Sequence, residues 1–134
     1  MAKIKTDRDG RNELHEAVIE KNFEKVRGLL LGGSDVAAKD KAGWTPLHFA
    51  TQRNLVEIAA LLVKNQAPVD SQDENGNTPL SNAVYESRGK GEMIALLRLA
   101  GANPNKKNNH GVSPLALARS IGNYDVAKFF EDLP

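Results

Sequence analysis

The sequence predicts an all-α fold, an α-solenoid of four helix–turn–helix repeats, and three observations carry that prediction. The first is recurrence. Thr45-Pro46-Leu47-His48-Phe49-Ala50, preceded by Gly43, returns as Thr78-Pro79-Leu80-Ser81-Asn82-Ala83 after Gly76 and as Ser113-Pro114-Leu115-Ala116-Leu117-Ala118 after Gly111. A degenerate copy, Asn12-Glu13-Leu14-His15-Glu16-Ala17, follows Gly10. The second is spacing: the copies start 33, 33 and 35 residues apart, a fixed period that marks stacked repeat units. The third is local chemistry. Thr45, Thr78 and Ser113 can each accept a hydrogen bond from the exposed N–H groups of a first helical turn. The proline that follows suits the first helical position, where its missing N–H costs nothing.

The remaining letters of the motif are structural. The leucine opens an apolar stripe, and the alanine column (Ala17, Ala50, Ala83, Ala118) keeps side chains small where neighbouring helices approach. The glycine column (Gly10, Gly43, Gly76, Gly111) fits a turn position with positive φ. Asp7, Asp40 and Asp73 lead their repeats, a placement expected of carboxylates that bond to the turn backbone.

In chain order, residues 1–6 form a polar lead and a single domain spans 7–134, with repeats at about 7–39, 40–72, 73–107 and 108–134. In the first repeat a helix starts near Asn12, and Phe23, Val26, Leu29 and Leu30 recur at helical spacing before Gly32-Gly33-Ser34 stops the second helix. Glu16 stands where Phe49 and Leu117 stand later, so this repeat reads as an N-terminal cap with a water-facing side. The second repeat is the most regular, with a helix from roughly Leu55 to Lys64 carrying Leu55, Val56, Ile58, Leu61 and Leu62. The third carries two extra residues between Ala83 and Ile94, within Tyr85–Glu92, where Gly89 and Gly91 among charged residues read as a lengthened connection. A neutral loop insertion and a contact loop both fit that segment. The fourth is expected to end in a helix with Val126, Phe129 and Phe130 on one face and Asp125, Lys128, Glu131 and Asp132 on the rest, a C-terminal cap. With both ends closed, the expectation is a complete small protein without a catalytic domain on the same chain.

Composition narrows the function. Net charge is +1, and the segments 1–39, 40–72, 73–105 and 106–134 carry +1, 0, −1 and +1, so no basic stripe supports nucleic-acid or anionic-membrane binding. There is no cysteine, which excludes disulfides, thiolate metal sites and a cysteine nucleophile. The N-terminus lacks the apolar run of a signal peptide, and no apolar run approaches the roughly 20 residues needed to cross a bilayer. A cytoplasmic location is the simplest expectation.

No constellation for catalysis emerges. The serines are scattered, no phosphate-binding glycine loop is present, and His15 and His48 share a column that continues as Ser81 and Ala116. Such a column reads as a hydrogen-bonding helix position, and His110 reads as a solvated or partner-facing turn residue. No metal or cofactor is expected, and an enzyme is the distant alternative.

From about Asp7 to its end the chain resembles the ankyrin repeat family, through its four in-register copies of the T-P-L-H-x-A motif. Its last segment is similar to the C-terminal caps of designed ankyrin proteins. The resemblance implies hairpin-like turns projecting at right angles to the helices. It also implies recognition of a partner protein by a concave face made of turn tips and the exposed side of each first helix. Carried over position by position, the tips are Arg8, Asp9 and Arg11; Lys41, Ala42 and Trp44; Glu74, Asn75 and Asn77; and Asn109, His110 and Val112. The first-helix ends add Ile19 and Glu20, Gln52 and Arg53, Tyr85 and Glu86, and Ser120 and Ile121. The partner-binding set is Arg11, Lys41, Trp44, Gln52, Arg53, Glu74, Asn77, Tyr85, Glu86, His110 and Val112. Trp44 and Tyr85 suit anchors, and each equally suits packing against its own repeat.

The function expected is non-catalytic binding of one protein partner by a chain that is monomeric on its own. An inhibitor or sequestering protein fits first, for example a cytoplasmic immunity protein against a toxin. A regulatory adaptor bridging two proteins is the alternative.

Overall fold

The computed structural model describes residues 9–134, so the polar lead, Asp7 and Arg8 lie outside the described residues. Seven α-helices follow one another: α1 (Glu13–Ile19), α2 (Phe23–Leu31), α3 (Pro46–Gln52), α4 (Val56–Lys64), α5 (Pro79–Glu86), α6 (Glu92–Leu99) and α7 (Pro114–Ser120). A single turn of 3-10 helix, Ala127–Phe130, completes the fourth pair. There is no strand among the described residues.

Each first helix begins where the motif places it. Asn12 Oδ1 accepts the His15 N–H at 3.0 Å, Thr45 Oγ1 the His48 N–H at 3.3 Å, Thr78 Oγ1 the Ser81 N–H at 3.4 Å and Ser113 Oγ the Ala116 N–H at 3.1 Å. Pro46, Pro79 and Pro114 occupy the first helical position, satisfying the helix start without a donor to waste. Within each repeat the two helices pack together, and the first helices also form one row (α1, α3, α5, α7) while the second helices form another (α2, α4, α6). The core lies between the rows. Leu14, Leu47, Leu80 and Leu115 are buried from the first row, and Val26, Leu62 and Leu97 from the second. Ala17, Ala50, Ala83 and Ala118 are buried as well, at positions where a larger side chain would separate the rows. Leu61 is only half-buried, unlike its neighbour Leu62, and Glu16 is half-buried rather than turned fully to water.

The turns before α3, α5 and α7 are held by one side chain each. Asp40 Oδ1 accepts the N–H groups of Ala42 and Trp44, Asp73 Oδ1 those of Asn75 and Asn77, and Asn108 Oδ1 those of His110 and Val112, all at 2.8–3.0 Å. Successive turns are stitched through the backbone: Lys41 N–H donates to Asp9 O, Glu74 N–H to Ala42 O and Asn109 N–H to Asn75 O, at 2.8, 2.9 and 3.0 Å. Glycine is required at two of these turns on two counts. Gly43 and Gly76 have φ of +80° and +79°, and a Cβ there would lie 2.9 Å from Glu74 N and 2.7 Å from Asn109 N of the next turn.

Two features of the later repeats depart from regularity. Positions 20–22 and 53–55 join the earlier helix pairs, whereas 87–91 join α5 to α6, which is the lengthened connection that the spacing predicts. It turns through Arg88 and Gly89, with φ of +51° and +84°. The C-terminal α-helix expected from the apolar stripe is replaced by the 3-10 turn Ala127–Phe130. The stripe still packs, because Val126 and Phe130 are buried and Phe129 is half-buried. Arg98 Nη1 donates to Phe129 O at 2.9 Å, and Leu133 N–H donates to Phe130 O at 3.0 Å, an i→i+3 bond in place of the α-helical one, while Arg119 Nη2 holds Pro134 O at 2.7 Å.

Candidate functional site

The site is best understood from what it lacks relative to the repeat before it. In the first two repeats a buried histidine straps one repeat to the next turn. His15 Nδ1 accepts the Asn12 N–H at 3.1 Å and its Nε2 lies 2.8 Å from Trp44 O. His48 Nδ1 accepts the Thr45 N–H at 3.1 Å and its Nε2 lies 3.0 Å from Asn77 O. An N–H can only donate and a carbonyl can only accept, so each ring is the neutral tautomer with its proton on Nε2. Burial pushes both imidazoles below their ordinary pKa of 6.5, which keeps them neutral. These histidines are structural, as their column position predicts.

The third repeat has no such strap. Ser81 replaces the imidazole and Asn82 stands in the column of Phe49 and Leu117. Smaller side chains at these two positions leave space, and a groove of about 450 Å³ opens over α5. Trp44, Gln52, Asn77, Tyr85, Glu86, His110 and Val112 line it. Seven of the positions expected to meet a partner therefore converge on one cavity, drawn from the second, third and fourth repeats. Its other walls are Ser81, Asn82, Asn108 and Leu117, which sequence reasoning assigned to the scaffold. The signal for Ser81 and Asn82 was present, since both depart from the motif. Asn108 stands where Asp40 and Asp73 hold their turns and does the same work there, and Leu117 keeps the apolar character of Phe49, so neither points to a site.

Trp44 serves both readings. Its ring packs 4.9 Å from the Phe49 ring and 5.7 Å from the His48 ring, while the half-buried remainder faces the groove. Tyr85 does not pack: it is 72% exposed at the rim. Glu86 is the only formal anion lining the groove, and no lysine or arginine does. Asn82 Nδ2 is buried on the floor without a hydrogen-bond partner.

The other expected positions fall elsewhere. Arg53 lines an adjoining cleft with Gln52 and Glu86. Arg11 is drawn into the scaffold, its guanidinium 5.2 Å above the Phe49 ring and within 3.7–3.8 Å of the Asp9 and Asp40 carboxylates. Lys41 and Glu74 are exposed at their turns and do not line the groove. Among the described residues no group of three or more His, Cys, Asp or Glu side chains is placed to hold a metal ion. Among them, too, no helix is long and apolar enough to cross a membrane.

Two stacked rows of short helices joined by stitched turns define a helical repeat protein, whose extended surface is the natural place for a macromolecular partner. The particular class follows from comparison: the profile described as "Ankyrin repeats (3 copies)" matches residues 14–108, and the chain belongs to the ankyrin repeat family. It is 41% identical over 66 residues to human protein phosphatase 1 regulatory subunit 27, covering 49% of this chain and 43% of that protein. It is 36% identical over 102 residues to the mouse nuclear factor NF-kappa-B p105 subunit, covering 75% of this chain and 10% of that protein. It is 30% identical over 124 residues to the Drosophila melanogaster tyrosine-protein kinase Shark, covering 92% of this chain and 13% of that protein. The chain spans less than half the length of each of these relatives. What they share with it is the array, carried by proteins with unlike names. Ankyrin arrays are protein-interaction modules and are generally non-catalytic.

Proposed function

We propose that this chain binds one partner protein through the groove over α5 and acts by occupying that partner's surface, as an inhibitor or sequestering protein. The observation that carries the reading is the convergence of Trp44, Tyr85, Val112 and Leu117 with the amides of Gln52, Asn77 and Asn82 in one open groove. Aromatic and aliphatic side chains supply the desolvated centre that hot spots require, and the amides fix orientation at its edge. Asn82 adds an amide donor with no internal partner, which a rotation of its side chain offers to an acceptor on the bound protein. The relative named as a regulatory subunit supports a regulatory rather than a catalytic role. A cytoplasmic immunity protein that neutralises a toxin is the concrete form of this reading, with the free chain monomeric.

The test is capture from native cytosol followed by titration. Wild type should retain one partner at equal stoichiometry, Tyr85→Ala should lose it while still folded, and the partner's activity should fall to its floor at one equivalent. Capture that survives Tyr85→Ala would move the binding surface elsewhere. Unchanged partner activity in the complex would rule out inhibition, and two partners held at once would favour the adaptor. Sedimentation of the free chain as a dimer would overturn the monomer.

A further inference from the structure

The lengthened turn between α5 and α6 has a consequence for charge. It brings Arg88 and Lys90 against the end of α3, where Arg53 and Asn54 sit, and together they bound a cleft of about 230 Å³. Three cations line this cleft against a single carboxylate, Glu86. Several cations elsewhere are engaged: Lys25 with Glu20, Arg27 with Glu24, Arg98 with Asp132, and Arg119 with the carbonyls of Leu133 and Pro134. Arg53, Arg88 and Lys90 make no ion pair or side-chain hydrogen bond with the described residues. The segment 73–105 carries a net charge of −1, so this concentration arises from where the turn places its residues rather than from local composition. Like charges gathered around one concavity raise its potential and favour an anion there.

We propose that this cleft receives carboxylates from an acidic segment of the partner protein. The proposal rests on the protein-binding reading above and extends it, because the cleft and the groove share Gln52 and Glu86 as a common wall. A single extended segment can then set an apolar side chain in the groove and Asp or Glu side chains on Arg53, Arg88 and Lys90. Glu86 enforces the order, since its charge opposes an acidic residue in the groove itself. The occupant is a carboxylate because the partner is a protein, whose unmodified anionic side chains are those of Asp and Glu.

A nuclear magnetic resonance titration of the full chain with a capped oligoglutamate peptide tests the assignment. The amides of 53–54 and 86–90 should shift saturably, with affinity falling as salt rises, as for any exposed charge contact. The double variant Arg53→Gln/Arg88→Gln should weaken binding roughly tenfold, the loss expected for two exposed charge contacts. The control Lys106→Gln/Lys107→Gln should leave it unchanged. Neither replaced side chain makes a hydrogen bond or ion pair among the described residues, so an unchanged unfolding midpoint verifies that the variant is intact. Shifts that spread over Lys106 and Lys107, or that ignore the cleft variant, would overturn the proposal. Inorganic phosphate binding the same amides as tightly as the peptide would overturn the choice of carboxylate. If oligoglutamate fails while capture of the partner still depends on Tyr85, the groove stands and the anionic cleft falls. If oligoglutamate binds while capture ignores Tyr85, the groove is the reading that fails.

Discussion

The second and third repeats are built from the same motif and do different things. In the second, nearly every polar group of the motif is used internally. Thr45 caps α3, His48 bonds back to Thr45 N–H and forward to Asn77 O, and Phe49 fills the space under Trp44. In the third, Thr78 still caps α5, but Ser81 reaches no carbonyl of the next turn and Asn82 keeps an unmet amide. The junction to the fourth repeat is held at its edges instead, by Asn108 Nδ2 on Asn77 Oδ1 and Gln72 Nε2 on Lys107 O, at 2.9 and 3.0 Å. The second repeat, whose motif side chains satisfy one another, offers the groove only the flanks of its turn and helix end, Trp44 and Gln52. The third, whose central bonds are missing, opens a groove and exposes Tyr85.

The contrast can be broken most forcefully in the shared core. Leu62→Ala should cost about 2–5 kcal/mol of unfolding free energy by chemical denaturation, because Leu62 is fully buried. Leu97, equally buried in the third repeat, should behave alike, and half-buried Leu61 should cost clearly less. Equal costs for Leu61 and Leu62 would contradict the packing described.

The strap comes next. His48→Ala removes two hydrogen bonds and leaves a cavity, an expected loss of about 2–4 kcal/mol. Ser81→Ala should cost less than about 1 kcal/mol, since the Ser81 hydroxyl holds no strap. A similar cost at both positions would erase the distinction between the two repeats. Gly76→Ala should follow, because it adds a backbone collision to an unfavourable φ. Gly111→Ala has the same φ but nothing within 4 Å of its new Cβ, so only the conformational cost of about 1 kcal/mol remains. Unfolding midpoints of the two variants should differ accordingly.

Acidification sharpens the same comparison. The folded pKa of His15 and of His48 lies below 6.5 because burial disfavours the cation. The unfolded chain therefore binds more protons in the window just below 6.5. Stability should be full above that value, fall as pH drops through the folded pKa values, and level off below them. His48→Gln should flatten the decline measured by thermal unfolding between neutral pH and pH 5. A decline as steep as in wild type would assign the effect to other groups. Tyr85→Ala should have the smallest effect on stability, within about 0.5 kcal/mol, while abolishing partner capture.

Much of this was legible before any coordinates. Thr45, Thr78 and Ser113 declare helix starts, the alanines declare close approach, and the two additional residues declare a longer turn at Tyr85–Glu92. The C-terminal segment misled, because the stripe of Val126, Phe129 and Phe130 fits a helix as well as a single 3-10 turn. Arg98, distant in sequence, takes the Phe129 carbonyl that an α-helix would give to Leu133 N–H. Arg11 shows the same limit. Its position at a turn tip places it in the partner-binding set, and only the structure shows the Phe49 ring and the Asp9 and Asp40 carboxylates that it also meets.

Periodicity and capping are local, so the repeat boundaries, the helix starts and the buried columns could be read from the order of residues alone. Cavities and charge clusters are properties of space between elements. The groove exists because Ser81 and Asn82 are small relative to the Trp44, Tyr85 and Leu117 side chains that stacking places around them. The cationic cleft exists because a longer turn sets Arg88 and Lys90 beside Arg53 of the preceding repeat. Neither neighbourhood is written in any single repeat, and both required the repeats to be stacked.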